Sequence, residues 1–280
     1  MMLHEWLAWG EAELCAGPHP AKARMDAELL LLHHIGKDRA WLLAHRNDNY
    51  AGCSSIGFAE LIKRRATGTP VQYITGACEF YGLQFHVTPD VLIPRPETEH
   101  LVEKAIELAN TFSSPHILDV GTGSGAIAVA LAHHLPQVTI DACDISPAAL
   151  AIARSNAALN HCAVRTVESD LLAALTTEQF DLIVSNPPYV SETDRTALDV
   201  EVRDHEPALA LFAENDGLAI YRRLIPQSFV RLSPDGYLLL EIGHGQRCAI
   251  ESLLLAAGFD TIEFTPDLQG IPRVATAHRP

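Results

Sequence analysis

Leu3, Trp6, Leu7 and Leu14 fall near the three- and four-residue spacing that lines one face of a helix. "AKARMDAELLLLHHIG" follows a proline and ends at Gly36, a stop signal for a second helix, and "FAELIKRRATG" predicts a third. Strand signals are scarce here, so residues 1–72 are expected to form a helical bundle with Trp6, Trp9 and Trp41 in its packing. The character then changes. Residues 73–93 are rich in β-branched and aromatic side chains and are broken at Gly76 and Gly82, which predicts a short hairpin linking the bundle to the rest. From 94 to 280, apolar runs such as "HILDV", "VTIDACDIS", "FDLIVS" and "GYLLLEIG" alternate with helical stretches. Repeated strand–helix units of this kind make a mostly parallel sheet with helices on both faces. "FDTIEFTPD" and "RVATAHR" read as a closing antiparallel pair, and Ser146-Pro147 as an N-cap followed by the first helical position.

Composition narrows the functional classes. The 280 residues carry 20 Lys and Arg against 35 Asp and Glu, a formal net charge of −15. An acidic surface repels phosphate backbones, so DNA is not an expected partner. "KRR" at Lys63–Arg65 reads as a solvated helix end, where cations suit the dipole. The cysteines, at 15, 53, 78, 143, 162 and 248, form no CxxC pair and suit a reducing compartment. No HExxH occurs, and the pairs His33-His34 and His133-His134 are adjacent and so face apart on a helix; no metal is expected. The apolar runs are too short to span a membrane and the N-terminus lacks a cleavable leader pattern, so the expected setting is the cytoplasm.

Candidate chemistry sits at strand ends. "DVGTGSG" joins a strand to an Ala-rich helix, and its glycines let the backbone turn tightly and approach a ligand. The dehydrogenase fingerprint is GxGxxG. The GxGxG spacing here, preceded by Asp119, favours instead the loop of S-adenosylmethionine enzymes, giving Asp119, Gly121, Thr122, Gly123, Ser124 and Gly125 as cofactor candidates. Asp144 ends the next strand, where an acid accepts ribose hydroxyls, and Asp170 ends the third, placed to accept from an adenine amine.

"NPPY", Asn186–Tyr189, ends the fourth strand beside the first. Amide and aromatic-amine nitrogens are poor nucleophiles because their lone pairs are delocalised. The side-chain oxygen of Asn186 can accept one N–H and the carbonyl of Pro187 the other, which orients the nitrogen and supports its developing charge. Pro188 stiffens the turn, and Tyr189 can stack on the planar acceptor. These residues form the expected substrate site, with Asn186, Pro187 and Tyr189 as its catalytic members. The motif leaves glutamine, adenine, cytosine and guanine open as acceptors. A base-amine methyltransferase and a non-catalytic cofactor-binding protein are the competing readings, the first marked by strong salt dependence and an extruded base.

"RATGTPVQYITGACEFYGLQFHVTPDVLIPRPETEHLVEKA", together with "RMDAELLL", Glu206-Pro207, "GYLLLEIG" and "DLQGIPRV", resembles the HemK/PrmC family in order and over essentially the whole chain. That resemblance implies an α/β fold of the class I S-adenosylmethionine-dependent methyltransferases, a Rossmann-like seven-stranded sheet with an N-terminal helical bundle and a β-hairpin linker. It also implies S-adenosylmethionine as cofactor. The implied substrate is the glutamine of the Gly-Gly-Gln loop in class I peptide chain release factors, docked by the bundle. The implied cofactor residues are Gly121 to Gly125, Asp144 and Asn186; the implied substrate residues are Asn186 to Tyr189. Leu171 stands where some members place an aromatic on the adenine, and His205 where an aromatic commonly precedes Glu-Pro. In "IPRPETE", Pro94 and Pro96 hold the chain extended before a helix start. Arg95 there is either a substrate contact or a brace for a carboxylate.

Overall fold

The computed structural model describes residues 2–49, 55–214 and 216–280; Cys53 lies outside them. The chain forms two compact units, one of residues 1–77 with 198–205 and one of residues 78–197 with 206–280.

The first unit is helical: α1 (Leu3–Cys15), α2 (Ala23–Ile35), α3 (Arg39–His45), α4 (Ser55–Ala66), α5 (Val71–Thr75) and, from the later segment, α9 (Val200–His205). Leu3, Leu7, Leu30, Leu31, Phe58 and Ile62 meet in its core, and Trp6 and Trp9 set their rings edge-on to Phe58 at its margin. Gly36 ends α2 in the left-handed conformation, as its sequence signal predicts. One expectation fails here. Lys63 and Arg64 are exposed, but Arg65 is only 3% exposed. Its guanidinium donates to Asp26 Oδ2 at 2.6 Å, to the Thr69 carbonyl at 3.1 Å and to Glu201. A planar fork matched to two carboxylates explains why this cation is buried while its neighbours are solvated. His19 Nε2 lies 3.2 Å from the same Glu201.

In the second unit a hairpin, β1 (Ala77–Phe80) and β2 (Leu83–His86), precedes α6 (Glu99–Ala109). Then come β3 (His116–Val120), α7 (Ala126–His134), β4 (Thr139–Asp144), α8 (Pro147–Leu159), β5 (Arg165–Glu168) and β6 (Phe180–Ser185). After the short α10 (Ala208–Leu211) follow α11 (Ala219–Arg231), β7 (Leu232–Glu241), α12 (Arg247–Ala257), β8 (Asp260–Pro266) and β9 (Pro272–His278). The seven-stranded sheet runs β5-β4-β3-β6-β7-β9-β8. Its first five strands are parallel, and β9 runs antiparallel to both β7 and β8. The expected closing pair is therefore present.

Strand alternation divides the core. Ile117, Leu182, Val184 and Leu239 face α6, α7 and the hairpin, whereas Leu118, Ile183, Leu238 and Leu240 face α11 and α12. Both faces are covered, which is why these strands read as near-continuous apolar runs. Ser146 caps α8 by accepting from the Ala149 N–H, with Pro147 at the first helical position. The strand order reverses between β3 and β4 on one side and β6 on the other, and ligands bind open sheets at such a reversal.

Candidate active site

The carboxyl ends of β3, β4, β5 and β6 open into a cavity of about 410 Å³. Its floor is the glycine loop. The N–H groups of Gly121 and Thr122 both donate to the Cys143 carbonyl, at 2.8 and 3.0 Å, pinning the loop to β4. Asp144 holds the other side: its Oδ2 accepts from the Gly123 N–H at 2.9 Å and its Oδ1 from the Ser146 N–H at 2.9 Å. Each oxygen keeps a lone pair for a further donor. Gly123 lines the cavity at φ +55°, and a Cβ there would meet no protein atom within 4 Å, so it would stand in space open to a ligand. Gly125 points the other way. A Cβ on it would lie 3.1 Å from the Ala153 backbone, so its smallness brings α7 and α8 together.

Thr122, Ser124, Asp144, Asp170, Leu171, Asn186 and Pro188 also line the cavity, with Gly121 and Gly123. Asp119, Gly125, Pro187 and Tyr189 are not lining residues. Asp119 is fully buried beneath the loop, where its Oδ2 accepts from Thr122 Oγ1 at 2.6 Å and the Ala128 N–H at 3.2 Å. Burial pushes its carboxyl up to about 7, against the pull of those two hydrogen bonds and with a smaller push from Asp144. Asp170 is half-exposed and paired with Arg223 at 2.6 Å, and Arg223 itself lines the cavity. Leu171 adopts φ +52°.

At the end of β6, Ser185 Oγ donates to the Val120 carbonyl at 2.7 Å and so ties this strand end to β3. The Asn186 side chain then enters the cavity wall. Its Nδ2 donates to Thr98 Oγ1 at 3.1 Å, and Thr98 donates to Glu241 Oε2 at 2.6 Å. Tyr189 lies behind the wall, its hydroxyl 3.4 Å from Glu241 Oε1 and its carbonyl accepting from Gln246. Burial pushes the Tyr189 hydroxyl well above its ordinary range, and the nearby Glu241 charge adds to this. Arg95 pairs with the buried Glu206 at 2.6 Å, which makes it a brace for a carboxylate.

Sequence reading missed several supporting residues. Asn156, fully buried on α8, accepts from the His86 N–H at 2.7 Å and donates to the carbonyls of His86 and Ser124 at 2.9 and 2.8 Å. It thereby ties the hairpin to the glycine loop. Thr98, Ser185, Glu241 and Arg223 are the others. A carboxylate inside "GYLLLEIG" was the readable signal for Glu241, because a charge in such a run needs a partner.

The strand order, the glycine loop and the carboxylate at the end of β4 define a class I methyltransferase of the S-adenosylmethionine-dependent type. A family model described as "Methyltransferase small domain" matches residues 98–203, and one described as "PrmC N-terminal domain" matches residues 5–76. Among curated relatives, proteins named release factor glutamine methyltransferase align over most of their length. That of Koribacter versatilis is 44% identical, covering 92% of this chain and 91% of its own. That of Deinococcus radiodurans is 40% identical, covering 100% and 99%. The chain belongs to the release factor glutamine methyltransferase family, HemK/PrmC. Solved structures agree at the level of fold. The Thermus thermophilus 16S rRNA N2 G1207 methyltransferase, in complex with AdoMet and guanosine, superposes with a TM-score of 0.55 at 21% identity, covering 73% of this chain and 50% of that one. The human Mettl16 catalytic domain gives 0.55 at 19%, covering 70% and 76%. Among the described residues no helix is long and apolar enough to cross a membrane.

Proposed function

We propose that this chain transfers a methyl group from S-adenosylmethionine to the side-chain amide nitrogen of the glutamine in the Gly-Gly-Gln loop of class I peptide chain release factors, and so modulates translation termination in the cytoplasm. The observation that carries the chemistry is Asn186. It lines the cavity with its amide NH₂ already engaged by Thr98, which leaves Oδ1 to accept an N–H. Family membership at 40–44% identity supports the choice of glutamine.

The residues present suit the cofactor. The glycine loop offers space where a Cβ would otherwise stand, and Asp144 keeps lone pairs for two ribose hydroxyls. Asp170 and Leu171 also line the cavity and are the proposed residues for the adenine end of the cofactor. When bound, S-adenosylmethionine supplies a methyl group on a positively charged sulfur, so the protein needs no nucleophile of its own. Asn186 Oδ1 takes one N–H of the glutamine amide, and the carbonyl of Pro187, which does not line the cavity in this structure, is the proposed acceptor for the other. Together these contacts aim the nitrogen lone pair and stabilise the positive charge that develops on it. Tyr189 supports the amide plane, and Pro188 keeps the turn stiff. The nitrogen loses a proton once it is alkylated, because its cationic form is strongly acidic. Residues 1–72 serve as the docking domain for the release factor, 73–93 as the linker and 94–280 as the catalytic domain. The reaction draws on no metal, DNA or membrane.

The test is transfer of a labelled methyl group to a purified release factor, with a Gly-Gly-Gln loop whose glutamine is replaced as control. Mass spectrometry should place one methyl group on that glutamine. Label on the replaced loop, or on nucleic acid alone, would overturn the reading. Asn186→Ala should nearly abolish transfer while cofactor affinity falls only modestly.

A further inference from the structure

An amide side chain has two ends of nearly equal shape. Only one of them, the oxygen, helps an acceptor that brings N–H groups; the NH₂ end meets donor with donor. Shape alone does not select between them at Asn186. Direction in a hydrogen-bond chain does. We infer that Thr98 and Glu241 are positioning residues that set which end of the Asn186 amide faces the substrate nitrogen. This rests on the methyl-transfer reading above and extends it inward by two residues.

Ionised Glu241 offers acceptors only, and Thr98 has one hydrogen to give. Thr98 Oγ1 sits 2.6 Å from Glu241 Oε2 and spends its hydrogen there. Only lone pairs then face Asn186, so the group it can bring to Thr98 at 3.1 Å is its NH₂. The amide oxygen is left for the substrate. Thr98 and Glu241 are 4% and 2% exposed, so bulk water does not compete for these contacts.

A proton on Glu241 Oε2 reverses the chain. The carboxyl then donates to Thr98, the hydroxyl hydrogen turns toward Asn186, and the amide rotates to accept it. The cavity now meets NH₂ in place of oxygen. The surroundings put this reversal near neutral pH: burial pushes Glu241 up to about 7, opposed by Thr98, Arg273 and Tyr189 and reinforced by the Glu97 charge. Arg273 is itself held by Asp267 at 3.0 Å. Tyr221 packs against the same residue but donates to its backbone carbonyl at 2.7 Å, so it leaves the carboxylate untouched.

The test combines Thr98→Val, Thr98→Ser and Glu241→Gln. kcat and KM for labelled transfer to the release factor are measured from pH 5.5 to 8.5, with cofactor affinity measured by calorimetry. Thr98→Val keeps the shape and loses the hydroxyl. Its kcat should fall on the order of 10²-fold, the scale set by losing one oriented group at a reacting centre, while KM and cofactor affinity move little. Thr98→Ser should restore most of the rate. Wild-type kcat should rise with pH through a midpoint near 7, and Glu241→Gln should lose that rise. A Thr98→Val enzyme at wild-type kcat, or an acid limb unchanged in Glu241→Gln, overturns the assignment. A second readout is independent of the acceptor's identity: the Asn186 side-chain amide signal in ¹⁵N spectra, assigned by its loss in Asn186→Asp. It should titrate near pH 7 in the wild type and stay flat in Thr98→Val. If it does so while no glutamine is methylated, the substrate reading has failed and the relay stands; a flat wild-type signal overturns the relay.

Discussion

Asp119→Asn should remove a pH dependence of stability that comes from one buried carboxyl beneath the glycine loop. Asp119 is fully buried, and its folded-state pKa is raised from 3.8 to about 7, chiefly by desolvation. In the unfolded chain it ionises near its ordinary value. Between those two pH values the folded protein holds a proton that the unfolded chain has released. The stabilisation is therefore complete below pH 4 and is lost as pH rises to 7. A shift of about three units corresponds to roughly 4 kcal/mol at 1.36 kcal/mol per unit, an upper bound that internal relaxation will reduce. Asparagine is neutral throughout and keeps one oxygen for Thr122 and Ala128. Its NH₂ replaces Oδ1, which is buried without a hydrogen-bond partner. That adds a constant offset of about 1–3 kcal/mol, not a slope. Glu241 titrates in a similar window but does so in both proteins, so it cancels in the difference. Urea unfolding of both proteins, followed by near-ultraviolet circular dichroism from pH 4.5 to 7.5, measures that difference. It should drift by a few kcal/mol, wild type losing ground to Asp119→Asn as pH rises. A difference constant to within about 0.5 kcal/mol would refute the reasoning, because a three-unit shift cannot hide within the usual mutant-to-mutant error.

Asp144→Ala removes the acceptor for the Gly123 and Ser146 N–H groups together with the proposed acceptor for the ribose, so cofactor affinity should fall by a factor of ten or more, roughly the worth of one charge-assisted hydrogen bond; an unchanged calorimetric Kd would remove Asp144 from the cofactor site. Asn156→Leu strands the His86 N–H and two carbonyls, and should cost about 2–5 kcal/mol in chemical denaturation. Hydrogen exchange should quicken at both the hairpin and the loop, and exchange confined to one of them would contradict the bridging role. Arg65→Met leaves the buried Asp26 without its ion pair, while Glu201 keeps His19 at 3.2 Å and Lys22 at 3.5 Å, and should destabilise the helical unit by about 3–5 kcal/mol. Adding Asp26→Leu should recover part of that loss in a thermal melt, and a purely additive double variant would show that the pair is not coupled.

Local chemistry made most of the fold legible. Strand–helix alternation, the Ser146-Pro147 helix start, Gly36 at a helix end and the glycine loop each state their structure within a few residues of chain. Asn186-Pro187-Pro188-Tyr189 is legible for the same reason, because a strand end, two stiff residues and an amide form one contiguous instruction. Contacts between distant segments carry no such mark. Thr98 meets Asn186 and Glu241 across 88 and 143 positions, and Asn156 meets His86 across 70. Arg65 reads as solvated because its helix neighbours Lys63 and Arg64 are exposed; only the return of residues 198–205 to the helical unit supplies Glu201 to bury it.

Glu241 was the one distant contact with a signal in its own sequence. A strand buried on both faces loses the alternation that separates inside from outside, so "GYLLLEIG" gives no periodic reason for its glutamate to be exposed. A carboxylate at the carboxyl end of such a strand has two ways to stay charged: water, or donors brought from elsewhere. The end of β7 lies beside the end of β6 in a parallel sheet, with Ser185 paired to Leu240, so the nearest incoming donors belong to the segment that carries Asn186 and to whatever packs across it. Tyr189 and Thr98 are those groups. The Asn186 amide and the buried acid are therefore neighbours because adjacent strands end together, and it is this adjacency on which the proposed control of Asn186 by a single proton on Glu241 rests.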